Sequence, residues 1–499
     1  MTSARRFMAR SLPVALALGL CAPLAVGAQP SQAPIAVPTP APMPTTSGTP
    51  IPYPAYGSPA PDVAAQVVKP GIPITVTLNQ AIDIGVAQSP TFASERAQYR
   101  AIAARYGAEQ GALLPAVSAQ ASATRSFGSI GNGNSGVGGA GATPTPSSNS
   151  SAATATSLSA QITISELIYD GGRTIAGIRS AKESDFAGRD TLLRQLQLLA
   201  FTVATNYYTL LEDNASVASD AALVREFEIN EQYVEAQIRT GAAPRSDLAA
   251  AQFQTAQARG VLITAQGLAI AAQATFTTSL GLDADTQINP QLLAASPAQA
   301  KVLSYTQSLK EAFTLRPDFI AAEHTVESDK ENLRYAKLAR FPSLSADATA
   351  GKSRTLISGE NNTLPYTTPQ SIGATLSIPI YDQGITNYNV AVAAATLDEA
   401  SAAMTAERLQ VQSDVRGGLA NLISARATLV QAQSEVTSAT VSLQATQAQY
   451  KVGASTITAI VTAEANLATA QRDYVAALYG ERLAEQQYYY ALGASDLSL

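Results

Sequence analysis

The spacing of apolar side chains switches repeatedly along this chain between a helical and an extended period, and each switch marks an element. From Leu78 the positions Leu78, Ala81, Ile82, Gly85 and Val86 follow helical spacing. The pattern breaks at Ser89-Pro90, where proline suits the first turn of a second helix over 91–114, which stops at Pro115. Beyond it the period drops to two. Val117, Ala119, Ala121 and Ala123 alternate with Ser118, Gln120, Ser122 and Thr124, and Leu158, Ala160, Ile162 and Ile164 alternate with Ser157, Ser159, Gln161, Thr163 and Ser165. The turn Tyr169-Asp170-Gly171-Gly172 then opens a helix over 172–239, about 68 residues or roughly 100 Å. Arg239-Thr240-Gly241-Ala242 breaks it, and a returning helix over 244–280 of nearer 55 Å ends at Leu280-Gly281.

The whole series occurs twice. A shift of about 212 places Tyr381-Asp382-Gln383-Gly384 on the first turn, Lys451-Val452-Gly453-Ala454 on the helix break and Leu492-Gly493 on the end. A shift of about 227 relates Pro317 and Pro342 to Pro90 and Pro115, so the loop between the two strands is longer in the first copy by about fifteen residues. In the second copy Leu344, Ala346 and Ala348 alternate with Ser345, Asp347 and Thr349, and Ile372, Ala374, Leu376 and Ile378 with Gly373, Thr375 and Ser377. The loops read as a Gly/Ser/Ala-rich stretch over 128–155 and a polar one over 352–369. Four strands of about ten residues result, each with one apolar and one nearly uncharged polar face, the pattern of a transmembrane β-barrel with lipid outside and water inside. Four strands cannot close a barrel, and an open edge is not tolerated in lipid, so several chains must share one.

The helices carry stripes in three-four alternation: Val415, Leu419, Leu422, Arg426, Leu429, Gln433, Val436, Thr440, Leu443, Gln447 and Tyr450 on one, and Ala251, Thr255, Ala258, Leu262, Ala265, Ala269, Ala272 and Phe276 on another. Such stripes predict coiled-coil packing, and their small and polar members suit the wall of a solvated tube.

Composition narrows the reading. Charged residues are 14% of the chain, with one His and no Trp, which leaves little material for a histidine-based active site. The first 28 residues have the form of a secretory signal: Arg5, Arg6 and Arg10, an apolar run from Leu12 to Leu24, and Val26-Gly27-Ala28 as the cleavage site. Its removal takes the formal charge from −6 to −9, an unsuitable balance for nucleic acid, and discards Cys21, the only cysteine. Leu20 before Cys21 argues against lipid attachment there. Residues 29–73 are proline-rich and read as a disordered tail, 74–283 as the first repeat, 284–306 as a linker and 307–499 as the second repeat.

The paired order of helix, proline, strand, loop, strand, Tyr-Asp-x-Gly, long helix, (Arg/Lys)-x-Gly-Ala break, helix and Leu-Gly resembles the TolC family of outer-membrane efflux proteins, over about residues 75 to 495. The resemblance implies a mainly α fold with a transmembrane β-barrel: a homotrimer whose twelve strands, four per chain, form an outer-membrane barrel continued as a coiled-coil helical tunnel across the periplasm. It implies that Arg239, Thr240, Gly241 and Ala242 with Lys451, Val452, Gly453 and Ala454 contact a periplasmic adaptor of an inner-membrane pump. Some members close the tip with acids six and nine residues after the second glycine; here those positions are Ala459 and Thr462, so the resemblance moves the gate to Asp247, Tyr450 and Arg245.

Other motifs carry no chemistry. Gly351-Lys352-Ser353 lacks the earlier glycine of a phosphate loop, having Ala346 there, and His324 has no second ligand at helical spacing. No cofactor, metal or enzymatic activity is expected. The function that follows is a passive export duct for an efflux or type I secretion system; the alternative is an exported coiled-coil scaffold or adhesin with a small soluble sheet.

Overall fold

The computed structural model describes residues 74–129, 152–241, 244–291, 302–357 and 365–494; the expected signal and the proline-rich tail lie outside them. In chain order the elements are β1 (Ile74–Val76), α1 (Leu78–Gln88), α2 (Pro90–Gly111), β2 (Ala116–Ser129), β3 (Ala152–Tyr169), α3 (Arg173–Arg239), α4 (Arg245–Ser279), β4 (Ile288–Pro290), α5 (Tyr305–Leu315), α6 (Pro317–Leu338), β5 (Ser343–Ile357), β6 (Gln370–Ser377), α7 (Ile385–Lys451) and α8 (Ile457–Leu492).

Local chemistry sets the boundaries. Thr77 and Gln80 form a capping box at α1, and Ser89 accepts from the Phe92 N–H at the start of α2, with Pro90 in the first turn. The Asp of each Tyr-Asp-x-Gly turn faces the N-terminus of a 67-residue helix. Asp170 accepts from the N–H groups of Gly172 (3.0 Å) and Thr174 (2.6 Å), and Asp382 from those of Gly384 (3.1 Å) and Thr386 (2.8 Å). Each carboxylate satisfies donors that a helix start leaves unpaired, and its charge suits the helix dipole.

β2, β3, β5 and β6 form one antiparallel sheet in that order. Its register puts Val117 opposite Ile164, Ala119 opposite Ile162, Ile164 opposite Ala348, and Ala348 opposite Ile372, so one face is apolar in its lower part except for Glu166, opposite Ala346. The other presents Gln120 opposite Gln161 and Ser165 opposite Asp347. β2 and β6 are the free edges of this four-stranded sheet. Three strands are longer than the expected ten residues, at 14, 18 and 15, because ladder pairing runs on into stretches expected to be loop. Gly351, Lys352 and Ser353 lie inside β5.

The helices pack around α3 and α7. The stripe on α4 faces inward, with Ala251, Thr255, Ala265 and Phe276 buried; so does that on α7 at Val415, Leu419, Leu422 and Leu443. Each copy has a core where the short helices meet the long one. Ala81, Ile82, Val203, Tyr207, Phe276 and Leu280 make the first, and Ala312, Val411, Val415, Leu422, Tyr488 and Leu492 the second. The first is closed by a parallel pairing of β1 with β4, which falls in the expected linker. α4 is also long and apolar enough to cross a membrane, but it is paired along α3, with Phe253, Ile263 and Ile270 exposed on its outer side.

Candidate partner-docking tip and gate

The helix breaks are built by backbone geometry. α3 ends where the Thr240 N–H donates to Ala236 O (3.3 Å) and Gly241, at φ 75°, donates to Ile238 O (3.0 Å). Ala242 lies outside the described residues. At the end of α7, Gly453 (φ 74°) donates to Tyr450 O (3.0 Å) and Ala454 to Gln449 O (2.8 Å), the two bonds of a Schellman motif. Neither glycine has a neighbour near its missing Cβ, so what each supplies is the left-handed conformation. Arg239, Thr240, Gly241, Lys451, Val452, Gly453 and Ala454 are all exposed. The tip therefore offers two cations at helix C-termini, where the dipole favours them, beside backbone and one apolar side chain, Val452.

Beneath this surface Val234, Leu443, Ile457, Ile460, Ala463 and Leu467 bury a cluster that locks the α3–α4 hairpin to the α7–α8 hairpin. Tyr450 packs against it, and its hydroxyl donates to Gln237 Oε1 on α3 (3.1 Å). Asp247 sits in the first turn of α4 and accepts from the Ser246 hydroxyl (3.3 Å). Burial, and next the charge of Asp247, push the Tyr450 phenol above its ordinary pKa. Arg245 is exposed, and among the described residues neither it nor Asp247 makes an ion pair. The structure thus brings Tyr450 to Gln237, which the sequence did not single out, and leaves Arg245 apart from Asp247. His324 is likewise a structural pair: its Nδ1 lies 2.9 Å from Glu183 Oε2, joining α6 to α3.

One further ionisable group lies just above the tip. Glu464 on α8, only 3% exposed, faces α3 and accepts from Asn230 Nδ2 at 3.2 and 3.4 Å. Among the described residues no cation pairs with it, whereas Asp220 further along α3 has Arg472 at 3.2 Å. Burial, reinforced by the nearby charge of Glu226, pushes the Glu464 carboxyl from 4.5 up to about 7. Between those two values the folded protein binds more protons than the unfolded chain, so stability falls as pH rises through that window. Thermal melts should show a loss on the order of 2 kcal/mol from pH 5 to pH 8 that Glu464→Gln removes, the variant being the more stable at pH 8. Parallel profiles for the two proteins would contradict this.

A sheet with one apolar face and two free edges, continued into paired helical hairpins of about 100 Å, defines the protomer of a barrel-and-tunnel channel. The chain belongs to the outer membrane efflux protein family, whose family model matches residues 82–282 and 308–494, one segment on each repeat. That membership places it in the outer membrane, reaching into the periplasm. It is 24% identical over 318 residues to the outer membrane efflux protein BepC of Brucella suis biovar 1 (strain 1330), covering 62% of this chain and 66% of that protein. It is 28% identical over 190 residues to the outer membrane protein TolC of Salmonella enteritidis, covering 37% of this chain and 39% of TolC. The matched stretches span just under two thirds and about two fifths of those relatives. Among solved structures the Campylobacter jejuni CmeC outer membrane channel superposes with a TM-score of 0.71 at 17% identity, over 84% of this chain and 87% of that one, a likeness of fold.

Proposed function

We propose that three copies of the chain close a twelve-stranded barrel and a twelve-helix tunnel, forming a passive duct that carries substrates from an inner-membrane pump through the outer membrane. The observation that carries this is the sheet itself. Val117, Ile162, Ile164, Ile372 and Leu376 stand 44–85% exposed on one face, while β2 and β6 are unpaired at its edges. In water such a face is an aggregation surface; in a shared barrel lipid covers it and neighbouring copies pair its edges. A soluble scaffold or adhesin would leave it uncovered. The exposed Phe253, Ile263 and Ile270 of α4 would meet the next copy along the tunnel wall.

The tip is the adaptor surface in this reading, formed by 239–242 and 451–454. Charge reversal by Arg239→Glu with Lys451→Glu should leave the trimer in the outer membrane and cut efflux several-fold, read as substrate accumulation in a strain lacking the wild-type gene. Undiminished efflux would remove the tip from the docking surface. The gate rests on Tyr450 and Asp247, with Gln237 holding the phenol and Arg245 at its margin. Tyr450→Phe and Asp247→Ala should each raise single-channel conductance in planar bilayers, Tyr450→Phe by releasing α7 from α3; if both leave it unchanged, the constriction lies elsewhere.

A further inference from the structure

The register of the sheet places three cations on its apolar face. Lys352 pairs with Ala160, Arg354 with Leu158, and Arg125 with Thr156 one rung higher, so all three share the side that carries Val117 and Ile162 below. Lys352 and Arg354 sit in sequence that reads as polar loop, and only the continuation of β5 to Ile357 fixes their direction. Counting up β5 from Leu344, its lowest paired residue on this side, they stand eight to twelve residues along the ladder. At about 3.3 Å per residue and a tilt near 40°, that is roughly 20–30 Å above the lower rim, where an outward apolar band of about 25 Å ends. Among the described residues this upper half of the sheet contains no acid. Tyr366 lies across Arg354, with the guanidinium 5.0 Å from the ring centroid and Nη1 donating to the phenol oxygen (3.4 Å). It is 65% exposed, as suits an aromatic at a membrane interface.

We propose that Arg125, Lys352, Arg354 and Tyr366 form a ridge that binds the phosphate groups of the anionic glycolipid of the outer leaflet. The chemistry fits the height. Guanidinium groups present a planar fork to phosphate, and the lysine stem lies along the apolar band while its ammonium reaches the headgroups. Each protomer contributes three cations to the layer where lipid phosphates concentrate. The inference rests on the duct reading in one respect, that the apolar face looks outward.

The test uses the full-length trimer purified in mild detergent, incubated with lipopolysaccharide or with phosphatidylcholine, washed, and analysed by native mass spectrometry. The wild type should retain lipopolysaccharide, and not phosphatidylcholine, through washing with excess inorganic phosphate. R125Q/K352Q/R354Q should lose at least several-fold of the bound glycolipid, whereas R125K/R354K should keep most of it. If the triple variant does not trimerise, K352Q alone should still lower retention about twofold. Equal retention by the wild type and the glutamine variants, displacement by phosphate alone, or equal binding of phosphatidylcholine would overturn the ridge. A wild-type trimer in the outer membrane that binds no glycolipid overturns the ridge and leaves the duct standing; a chain that never reaches that membrane overturns the duct.

Discussion

Gly493→Ala should abolish accumulation of the folded protein, and Gly281→Ala should do the same from the other repeat. Both glycines end a long returning helix in the left-handed region, at φ 73° and 80°, where a Cβ costs about 1–2 kcal/mol. Each is also pressed against the junction of the two short helices of its repeat. A Cβ on Gly493 would stand 2.8 Å from the backbone N and Cα of Arg316, and one on Gly281 2.5 Å from the carbonyl oxygen of Gln88. Backbone cannot rotate aside as a side chain can, so the core formed by Tyr488 and Leu492, or by Phe276 and Leu280, would have to separate. The total is on the order of 3–5 kcal/mol. Gly453→Ala is the internal comparison: its φ is 74°, but nothing lies within 4 Å, so about 1 kcal/mol is expected. Urea unfolding and the yield of trimer on semi-native gels separate the cases. Equal losses at Gly453 and Gly493 would mean that conformation alone, without packing, governs both.

Replacing Arg316 by methionine should be as damaging. The residue is 1% exposed and its guanidinium is surrounded by acids: Asp318 at 3.0 Å (Nε) and 2.6 Å (Nη2), Asp414 at 2.8 Å (Nη1) and Glu407 at 3.5 Å. Arg194 of α3 meets Asp318 from the other side at 3.0 Å and lies 3.8 Å over the Tyr490 ring, so the cluster ties α3, α6, α7 and α8 at one point. Burial alone would lower the Arg316 pKa, but the bonds to Asp318 and Asp414 hold it above its ordinary value. Burial likewise opposes the charge of Asp318, yet Arg316 and Arg194 keep that carboxyl below the usual range. Its contribution is therefore present at neutral pH and lost only as pH falls through the depressed value in strong acid. Removing the cation leaves three partly exposed acids, at 21–31% of their side chains, crowded together without a counter-charge, which costs about 3 kcal/mol, while Asp318→Asn, which keeps an acceptor for Arg316, should cost less. Chemical denaturation at pH 7 checks the order.

The first repeat shows how much of this the sequence could disclose. At the place of Arg316 it has Ser89, a plain helix cap, so an alignment of the copies suggests a boundary residue and not the centre of an ion-pair network. Gln237 is similar: it is one more polar residue on a long helix until Tyr450 arrives from the second repeat. Glu464 lies at helical spacing among alanines and threonines, and only the facing Asn230 and Glu226 make it a perturbed acid. The β1–β4 pairing escaped because strands of three residues have no measurable period. Polar composition marks Lys352 and Arg354 as loop in the sequence, whereas hydrogen bonding to β3 extends the ladder past the point where alternation fades. The stripes on α4 and α7, the turns at Asp170 and Asp382 and the breaks at Gly241 and Gly453 were legible because local stereochemistry alone specifies them.

The periods, the places where they change and their duplication are written into the chain locally, because side-chain spacing, proline and glycine act within a few residues. The chain also carries the need for company, since four half-apolar strands cannot close on themselves. Tertiary structure alone decided which charges meet, which face each late strand residue takes, and which hydroxyl holds the hairpins together near the tip. Those outcomes depend on contacts between positions one or two hundred residues apart, such as Arg194 with Asp318 and Tyr450 with Gln237, and no local pattern encodes them.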